Sequence, residues 1–299
     1  MPSLASLVVA IAVETASFDG LREDLATRPP DGDALVSAFV ARAGGTPVIE
    51  GEAALFIVKG SPDAPPRLVG DFNGWGEGHP GASILERLGV TSFFFKRVKL
   101  DRAARVEYLI ATQGHEDLDP LNPTRVDGFA EPHSEVRMPG YVAPPEIQGS
   151  PGLPRGRVVS FDHQSAVLGN RRRVHVYLPS GYDREAERRY PEAWFGDGTL
   201  YVERVHVPQV LDYLIARGRI EPVVAVLVDP VDRRLEYAGH EGYRRMMVSE
   251  LVPRVAREFR VLRRSERRLI AGGSRGGHSA IDLALGHPDV FAGCHRLPS

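Results

Sequence analysis

Cysteine and lysine are scarce in this chain of 299 residues. The one cysteine, Cys294, excludes a disulfide within the chain and a zinc site built on cysteines. Three of the 37 basic residues are lysines (Lys59, Lys96 and Lys99), and 39 acidic residues leave a net charge of −2. Because the chain is nearly neutral, its composition gives no electrostatic reason to expect a nucleic-acid partner.

Long apolar runs are also missing. No run reaches the roughly 20 residues of a membrane-spanning helix, so we expect no membrane association. The longest candidate, residues 4–13, has no basic residue before it and is followed at once by Glu14, which does not fit a secretory signal. We interpret this run as an N-terminal helix packed on the first domain, and we expect a cytoplasmic protein.

Proline and glycine concentrate between residues 139 and 156. Proline removes backbone donors and fixes φ, so this stretch cannot hold a regular element. The composition predicts an interdomain linker at residues 139–156. It separates an N-terminal helical segment and β-sandwich at residues 1–138 from a second domain at residues 157–299.

The pattern before the linker favours an antiparallel β-sandwich, because short apolar segments alternate with turn residues. Residues 18–42 show helical spacing in part. Strands are expected at residues 53–59, 67–69, 92–100, 105–111 and 134–138.

The pattern after the linker alternates between strands and helices, which predicts an α/β sheet. The continuous apolar run at residues 223–228 is typical of a strand covered on both faces. Strands are expected at residues 157–160, 174–178, 190–195, 223–228 and 268–271, and helices at residues 207–216, 246–259 and 276–285.

The strongest chemical signal is the sequence Gly-Gly-Ser-Arg-Gly-Gly at residues 272–277, which matches the G-x-S-x-G nucleophile elbow. A serine on such a tight strand-to-helix turn needs glycine on both sides, here Gly272 and Gly276, because side chains there would collide. Ser274 is therefore the candidate nucleophile. The N–H of Arg275, at the start of the next helix, is a candidate donor to an oxyanion.

The same glycines allow other interpretations. A glycine-rich packing turn stays open. A dinucleotide fingerprint would need glycine where Ser274 stands, and a phosphate loop would need lysine where His278 stands. A second oxyanion donor is expected after an earlier strand, and the N–H of Thr199 is our candidate, with a plain strand-end turn as the alternative.

Several short motifs resemble the putative-esterase family of α/β-hydrolases, which includes enterochelin esterases, feruloyl-esterase-like enzymes and mycolyltransferases. Residues 70–75 and 119–123 resemble the early-set, glycogen-binding-like sandwich that precedes the hydrolase domain in enterochelin esterases. The hydrolase motifs lie at residues 176–182, 190–191, 197–198, 250–253 and 271–277.

The resemblance implies hydrolysis of a small-molecule ester or lactone, such as a ferric siderophore, through an acyl-serine at Ser274, with no cofactor and no metal. In this family the catalytic acid and histidine come after the serine in the chain. Candidates such as His278 and Asp282 lie too close to Ser274 in the sequence, and residues 294–299 do not have the pattern of the strand that the family places there. We therefore expect a hydrolase fold truncated after the nucleophile helix, low activity, poor solubility, and a homo-oligomer that covers the exposed sheet edge.

For a few other residues, we set a functional interpretation beside a structural one. Trp75 either stacks on a sugar, which would make the chain a glycan- or ligand-binding module with an inert hydrolase half, or covers the sandwich end. The Arg275 side chain either binds an anionic substrate or forms a salt bridge. Arg233 and Glu236 are expected to pair, and the spacing of His175 to other ligands does not indicate a metal site.

Overall fold

The computed structural model describes residues 17–76, 80–128, 131–149 and 151–297. The chain divides into two compact units, Met1–Val142 and Ala143–Ser299. This division falls within the stretch of proline and glycine at residues 139–156, while the bounds of the linker stay a prediction. The apolar run at residues 4–13 lies outside the described residues.

Unit 1 begins with two helices, α1 (Phe18–Thr27) and α2 (Gly32–Ala43), as the spacing in residues 18–42 predicted. The Ser17 hydroxyl caps α1 by accepting the N–H of Gly20 at 3.2 Å. The apolar faces of both helices pack on one sheet of the unit.

Two antiparallel sheets complete unit 1 and confirm the predicted β-sandwich. One sheet has the order β1-β2-β5-β4, the other has the order β3-β6-β9-β8, and β7 pairs with β6. A core that includes Phe56, Leu68 and Tyr108 joins them. The strands are β1 (Val48–Glu50), β2 (Ala53–Lys59), β3 (Arg67–Gly70), β4 (Glu86–Arg87), β5 (Phe93–Lys99), β6 (Arg105–Thr112), β7 (His115–Asp117), β8 (Arg125–Asp127) and β9 (Pro132–Arg137).

Trp75 lies in a turn of unit 1 with φ 57°. Its ring centroid is 4.7 Å from that of His133, and its indole N–H donates to Asp71 at 3.1 Å. Since the indole already has these partners, the structure favours the interpretation of Trp75 as a turn aromatic over that of a sugar platform.

A buried carboxyl group lies in the sandwich core. Asp119 is fully buried, and it accepts the hydroxyl of Tyr108 at 2.7 Å and the N–H of Leu121 at 2.9 Å. Burial raises the pKa of Asp119 to about 6, although both hydrogen bonds act in the opposite direction.

Unit 2 is built on a six-stranded sheet of order β10-β11-β13-β12-β14-β15, which confirms the predicted α/β pattern. Strands β12 to β15 form the parallel pairs, and β10 and β11 join them by antiparallel pairing. The strands are β10 (Arg157–Gln164), β11 (Arg171–Leu178), β12 (Glu192–Phe195), β13 (Val224–Val228), β14 (Arg268–Gly273) and β15 (Gly293–Leu297).

Helices cover both faces of this sheet. They are α3 (Gly198–Glu203), α4 (Val207–Ala216), α5 (Arg233–Glu236), α6 (Glu241–Met246), α7 (Val252–Glu258) and α8 (Arg275–Gly286). One core includes residues of α3 and α4, and the other includes residues of α6, α7 and α8. Every residue of β13 is buried, as its apolar run predicted. In the described residues, no helix combines the length and apolarity that crossing a bilayer requires.

A π-helical turn, Met247–Leu251, joins α6 to α7. Glu250 in this turn accepts the N–H groups of Ala166 and Val167 at 3.0 and 2.9 Å. The helix thereby holds the loop between β10 and β11.

The end of the described chain differs from the expectation. The sequence after Gly293 did not indicate a strand, yet Gly293–Leu297 forms β15 and pairs in parallel with β14. The expectation was wrong because pairing with a neighbouring strand can override a weak local preference. Residues 298 and 299 lie outside the described part.

The turn from β14 to α8 requires glycine at position 272. A Cβ on Gly272 would lie 2.4 Å from the carbonyl carbon of Gly276, closer than real Cβ atoms approach backbone. On Gly276, a Cβ would lie 3.2 Å from the Asp197 carboxylate. The collision predicted at the two glycines is therefore severe at Gly272 and milder at Gly276.

We expect Gly272→Ala to lower the free energy of unfolding by about 1–3 kcal/mol, because backbone must move to admit the methyl group. The control is Gly286→Ala, where the nearest atom to a new Cβ would be Arg244 Cδ at 3.8 Å. Urea unfolding measures both variants, and equal stability of the two would contradict the steric account.

We also expect Asp119 to make unit 1 more stable at pH 5 than at pH 7. The pKa of Asp119 in the fold lies above its usual 3.8, so its contribution is complete below that value and is lost as the pH rises through about 6. This group accounts for about 1 kcal/mol between the two pH values.

Asp119→Asn should remove this pH dependence, whereas Asp117→Asn on the exposed strand β7 should keep it. The measurement is urea unfolding at both pH values, monitored by the fluorescence of Trp75 in chains that carry Trp194→Phe. An unchanged pH dependence in Asp119→Asn would rule out Asp119 as its source.

Candidate active site

Ser274 lies between the last residue of β14 and the first residue of α8, with φ 50° and ψ −123°. A positive φ is strained for a residue with a side chain, and such strain clusters at functional sites. Its side chain is exposed, and its carbonyl accepts the N–H groups of Gly277 and His278 at 3.0 and 3.3 Å. The strand–turn–helix setting predicted from the sequence is thus present, while the nucleophilic role of Ser274 stays a prediction.

The carboxyl ends of three neighbouring parallel strands bring further polar groups to the same sheet edge as Ser274. Strand β12 lies between β13 and β14. Asp197 lies in the loop after β12, Thr199 lies in the first turn of α3, and Asp229 comes directly after β13. Ligands of open α/β sheets bind at this edge, so it is the candidate active site.

Asp197 holds the loop after β12 beside the start of α8. It has a left-handed backbone (φ 52°) and is 6% exposed. Arg233 donates to its two carboxylate oxygens at 2.8 and 3.0 Å, and the Asp197 N–H donates to the Tyr237 hydroxyl at 2.8 Å. The carboxylate would be 3.2 Å from a Cβ on Gly276, so it also lies against the first turn of α8.

The expected pair between Arg233 and Glu236 is wrong. Glu236 instead pairs with Arg172 through two hydrogen bonds of 2.9 and 3.0 Å, and both side chains are buried. Neighbours on one short helix, α5, therefore point to different partners. Glu236 ties α5 to β11, and Arg233 ties it to the loop after β12.

Thr199 is engaged by a carboxylate. Its N–H donates to Asp229 Oδ1 at 2.6 Å, and its hydroxyl donates to Asp229 Oδ2 at 2.5 Å. Because Asp229 accepts this N–H, it is not open to an oxyanion in this structure, and the role of Thr199 as an oxyanion donor stays a prediction. A substrate oxygen could use the donor only after the carboxylate turns away.

Arg275 is the first residue of α8, where backbone N–H groups have no partner within the helix. Its guanidinium is exposed, and it forms no ion pair with any carboxylate of the described residues. The described part of the chain therefore offers no carboxylate for the salt bridge that was the alternative interpretation of Arg275. Its role in binding substrate is still a prediction.

Histidines near Ser274 in the sequence do not contact its hydroxyl. His278 is exposed on α8, and no hydrogen bond within the described residues joins Ser274 to a histidine. Asp282, also on α8, is paired with Arg244 at 2.7 Å.

Two groups at this edge escaped the sequence reasoning. His175 contacts Thr199, and its Nε2 lies 4.0 Å from Asp229 Oδ2. The register of β11 on β13 brings these residues together, and nothing in their spacing could show it. Asp229 could have been found from the sequence, because a polar residue directly after a predicted buried strand is a candidate for the site at the sheet edge. Across the described residues, no group of three or more potential ligands forms a metal centre.

Comparisons with known proteins bear on the function of this edge. Residues 165–297 match the family described as Putative esterase. The iron(III) enterobactin esterase of Escherichia coli O6:H1 is 31% identical over 182 residues, which cover 59% of this chain and 44% of that protein. The chain thus spans less than half the length of the curated relatives it matches.

Solved structures agree in fold. The ferric enterobactin esterase of Salmonella typhimurium matches with a TM-score of 0.67 and 20% identity, over 88% of this chain and 77% of that one. The enterochelin esterase of Shigella flexneri matches with a TM-score of 0.64 and 20% identity, over 87% and 74%. The resemblance found in the sequence is therefore confirmed: residues 165–297 match the family described as Putative esterase, and the solved structures share the fold.

Proposed function

We propose that this chain hydrolyses carboxylic esters through an acyl-serine formed on Ser274. The observation that carries the proposal is the strained, exposed serine between β14 and α8, at the sheet edge where α/β proteins bind ligands. The family match supports the same chemistry.

In the proposed reaction, the Ser274 Oγ attacks the ester carbonyl carbon, and negative charge develops on the carbonyl oxygen. The N–H of Arg275 and the positive end of α8 stabilise that charge. The N–H of Thr199 is the second donor, once Asp229 has released it. The alcohol then leaves, and water hydrolyses the acyl-serine.

The proposed rate is low. Attack by a serine hydroxyl is fast when a neighbouring base takes its proton. In the described residues no histidine hydrogen-bonds to Ser274, so its hydroxyl is not activated in this structure. The oxyanion donors alone then supply the catalysis, as in triad enzymes that have lost one member.

The proposed substrates are esters with an anionic acyl part, such as a ferric siderophore. The exposed Arg275 guanidinium adjoins the nucleophile and meets no described carboxylate, so it can attract an anion. Relatives named iron(III) enterobactin esterase favour this class. The alternative of a glycan-binding module has less support, because Trp75 already contacts His133 and Asp71.

We expect Ser274→Ala to reduce hydrolysis of a neutral 4-nitrophenyl ester at least about tenfold, toward the uncatalysed rate. Ser249→Ala is the control, since Ser249 is exposed and its hydroxyl donates to the Arg245 carbonyl. Release of 4-nitrophenol measures the rate. If Ser274→Ala and the parent chain were equally fast, another group would be responsible.

We expect Arg275→Gln to lower kcat/KM for a 4-nitrophenyl ester with a carboxylate on its acyl part by about threefold to fivefold, an effect limited by solvent screening. Hydrolysis of the neutral ester should hardly change, because the backbone N–H remains. Arg264→Gln, which removes another exposed arginine, is the control for net charge. Equal losses for both esters would argue against charge recognition.

A further inference from the structure

A second serine faces a histidine on the antiparallel side of the unit 2 sheet. Ser160 on β10 lies opposite His175 on β11. The Ser160 Oγ is 2.8 Å from His175 Nδ1. Ser160 is exposed, whereas His175 is 8% exposed. An accessible hydroxyl therefore contacts a nearly buried imidazole.

The contacts of the other ring nitrogen, Nε2, show which nitrogen of His175 carries the proton. His175 Nε2 is 3.0 Å from Thr199 Oγ1, and the Thr199 hydroxyl donates its one proton to Asp229 at 2.5 Å. Nε2 must therefore carry the proton in its contact with Thr199. In the neutral ring, Nδ1 then has the lone pair, and it accepts the hydroxyl of Ser160.

The surroundings of His175 keep the ring neutral. Burial lowers its pKa below the usual 6.5, and Arg173 acts in the same direction. Asp229 and Glu203 favour the charged form but do not reverse the shift. At neutral pH the imidazole is thus in the form that can accept a proton.

We propose that Ser160 is a second nucleophilic serine, with His175 as its base, and that it accepts an acyl group from small activated esters or a phosphoryl group from fluorophosphates. Ser160, His175 and Thr199 are connected by hydrogen bonds in the order nucleophile, base and orienting group. Asp229 in turn holds Thr199, which fixes the orientation of the imidazole ring. The arrangement does not depend on the proposed role of Ser274. Strand β10, which carries Ser160, and strand β14, which precedes Ser274, are four strand spacings apart in the sheet order, roughly 19 Å across the sheet.

The covalent step with diisopropyl fluorophosphate releases fluoride. The Ser160 Oγ forms a bond to phosphorus as the phosphorus–fluorine bond breaks and the fluoride ion leaves with the bonding electron pair. The serine proton moves to His175 Nδ1 and then to water. With an ester, the acyl carbon takes the place of phosphorus, and the same proton ends on the departing alcohol.

The test treats the full chain carrying Ser274→Ala with diisopropyl fluorophosphate, and peptide mass spectrometry locates the adduct. We expect Ser160 to be labelled at least about tenfold faster than the exposed Ser249, which has a backbone carbonyl as its partner instead of an imidazole. Absence of an adduct on Ser160, or labelling no faster than on Ser249, would overturn the proposal.

His175→Gln should abolish the difference between Ser160 and Ser249, because glutamine can hydrogen-bond but cannot act as a base at neutral pH. Labelling of Ser160 that persists unchanged in that variant would also refute the role of His175. Should the variant fail to fold, the rate of Ser160 labelling in the parent Ser274→Ala chain, measured as a function of pH, decides whether His175 is the base. Labelling of Ser160 must slow as acid protonates the imidazole, and a flat profile would exclude it as the base.

Discussion

The candidate site depends on one partly buried ion pair, between the buried Asp197 and the half-buried Arg233. A charge removed from water is costly unless it is paired and hydrogen-bonded, and Arg233 supplies both oxygens of Asp197 with a donor. Because the Asp197 carboxylate also lies against Gly276, the pair fixes the loop after β12 relative to the first turn of α8. Ser274 and Thr199 are thereby held at one sheet edge, although they belong to distant parts of the sequence.

Local patterns predicted much of the fold. Strand β2 and helix α4 have the bounds that their apolar residues indicated, because burial of one face acts on neighbouring residues. The turn around Ser274 could also be predicted from the sequence, because the steric need for glycine at position 272 arises within a six-residue segment. Motifs shared with esterases gave the order of the two units, and the comparisons then confirmed the family resemblance.

Partners of charged residues could not be predicted in the same way. Arg172 meets Glu236, and Thr199 meets Asp229, because the sheet order brings β11, β12 and β13 side by side. No local signal encodes that order. For this reason the sequence could suggest Thr199 as a candidate oxyanion donor but could not show that a carboxylate already accepts its N–H.

The π-helical turn before α7 has a consequence for how this chain can vary in length. A π-turn bonds residue i to i+5, so it holds one residue more than an α-turn. Deleting one residue there would restore a regular α-helical turn and remove Glu250 from its present position in the turn. The N–H groups of Ala166 and Val167 would then lose their acceptor. The extra residue of this turn is thus what places the Glu250 carboxylate against the loop between β10 and β11.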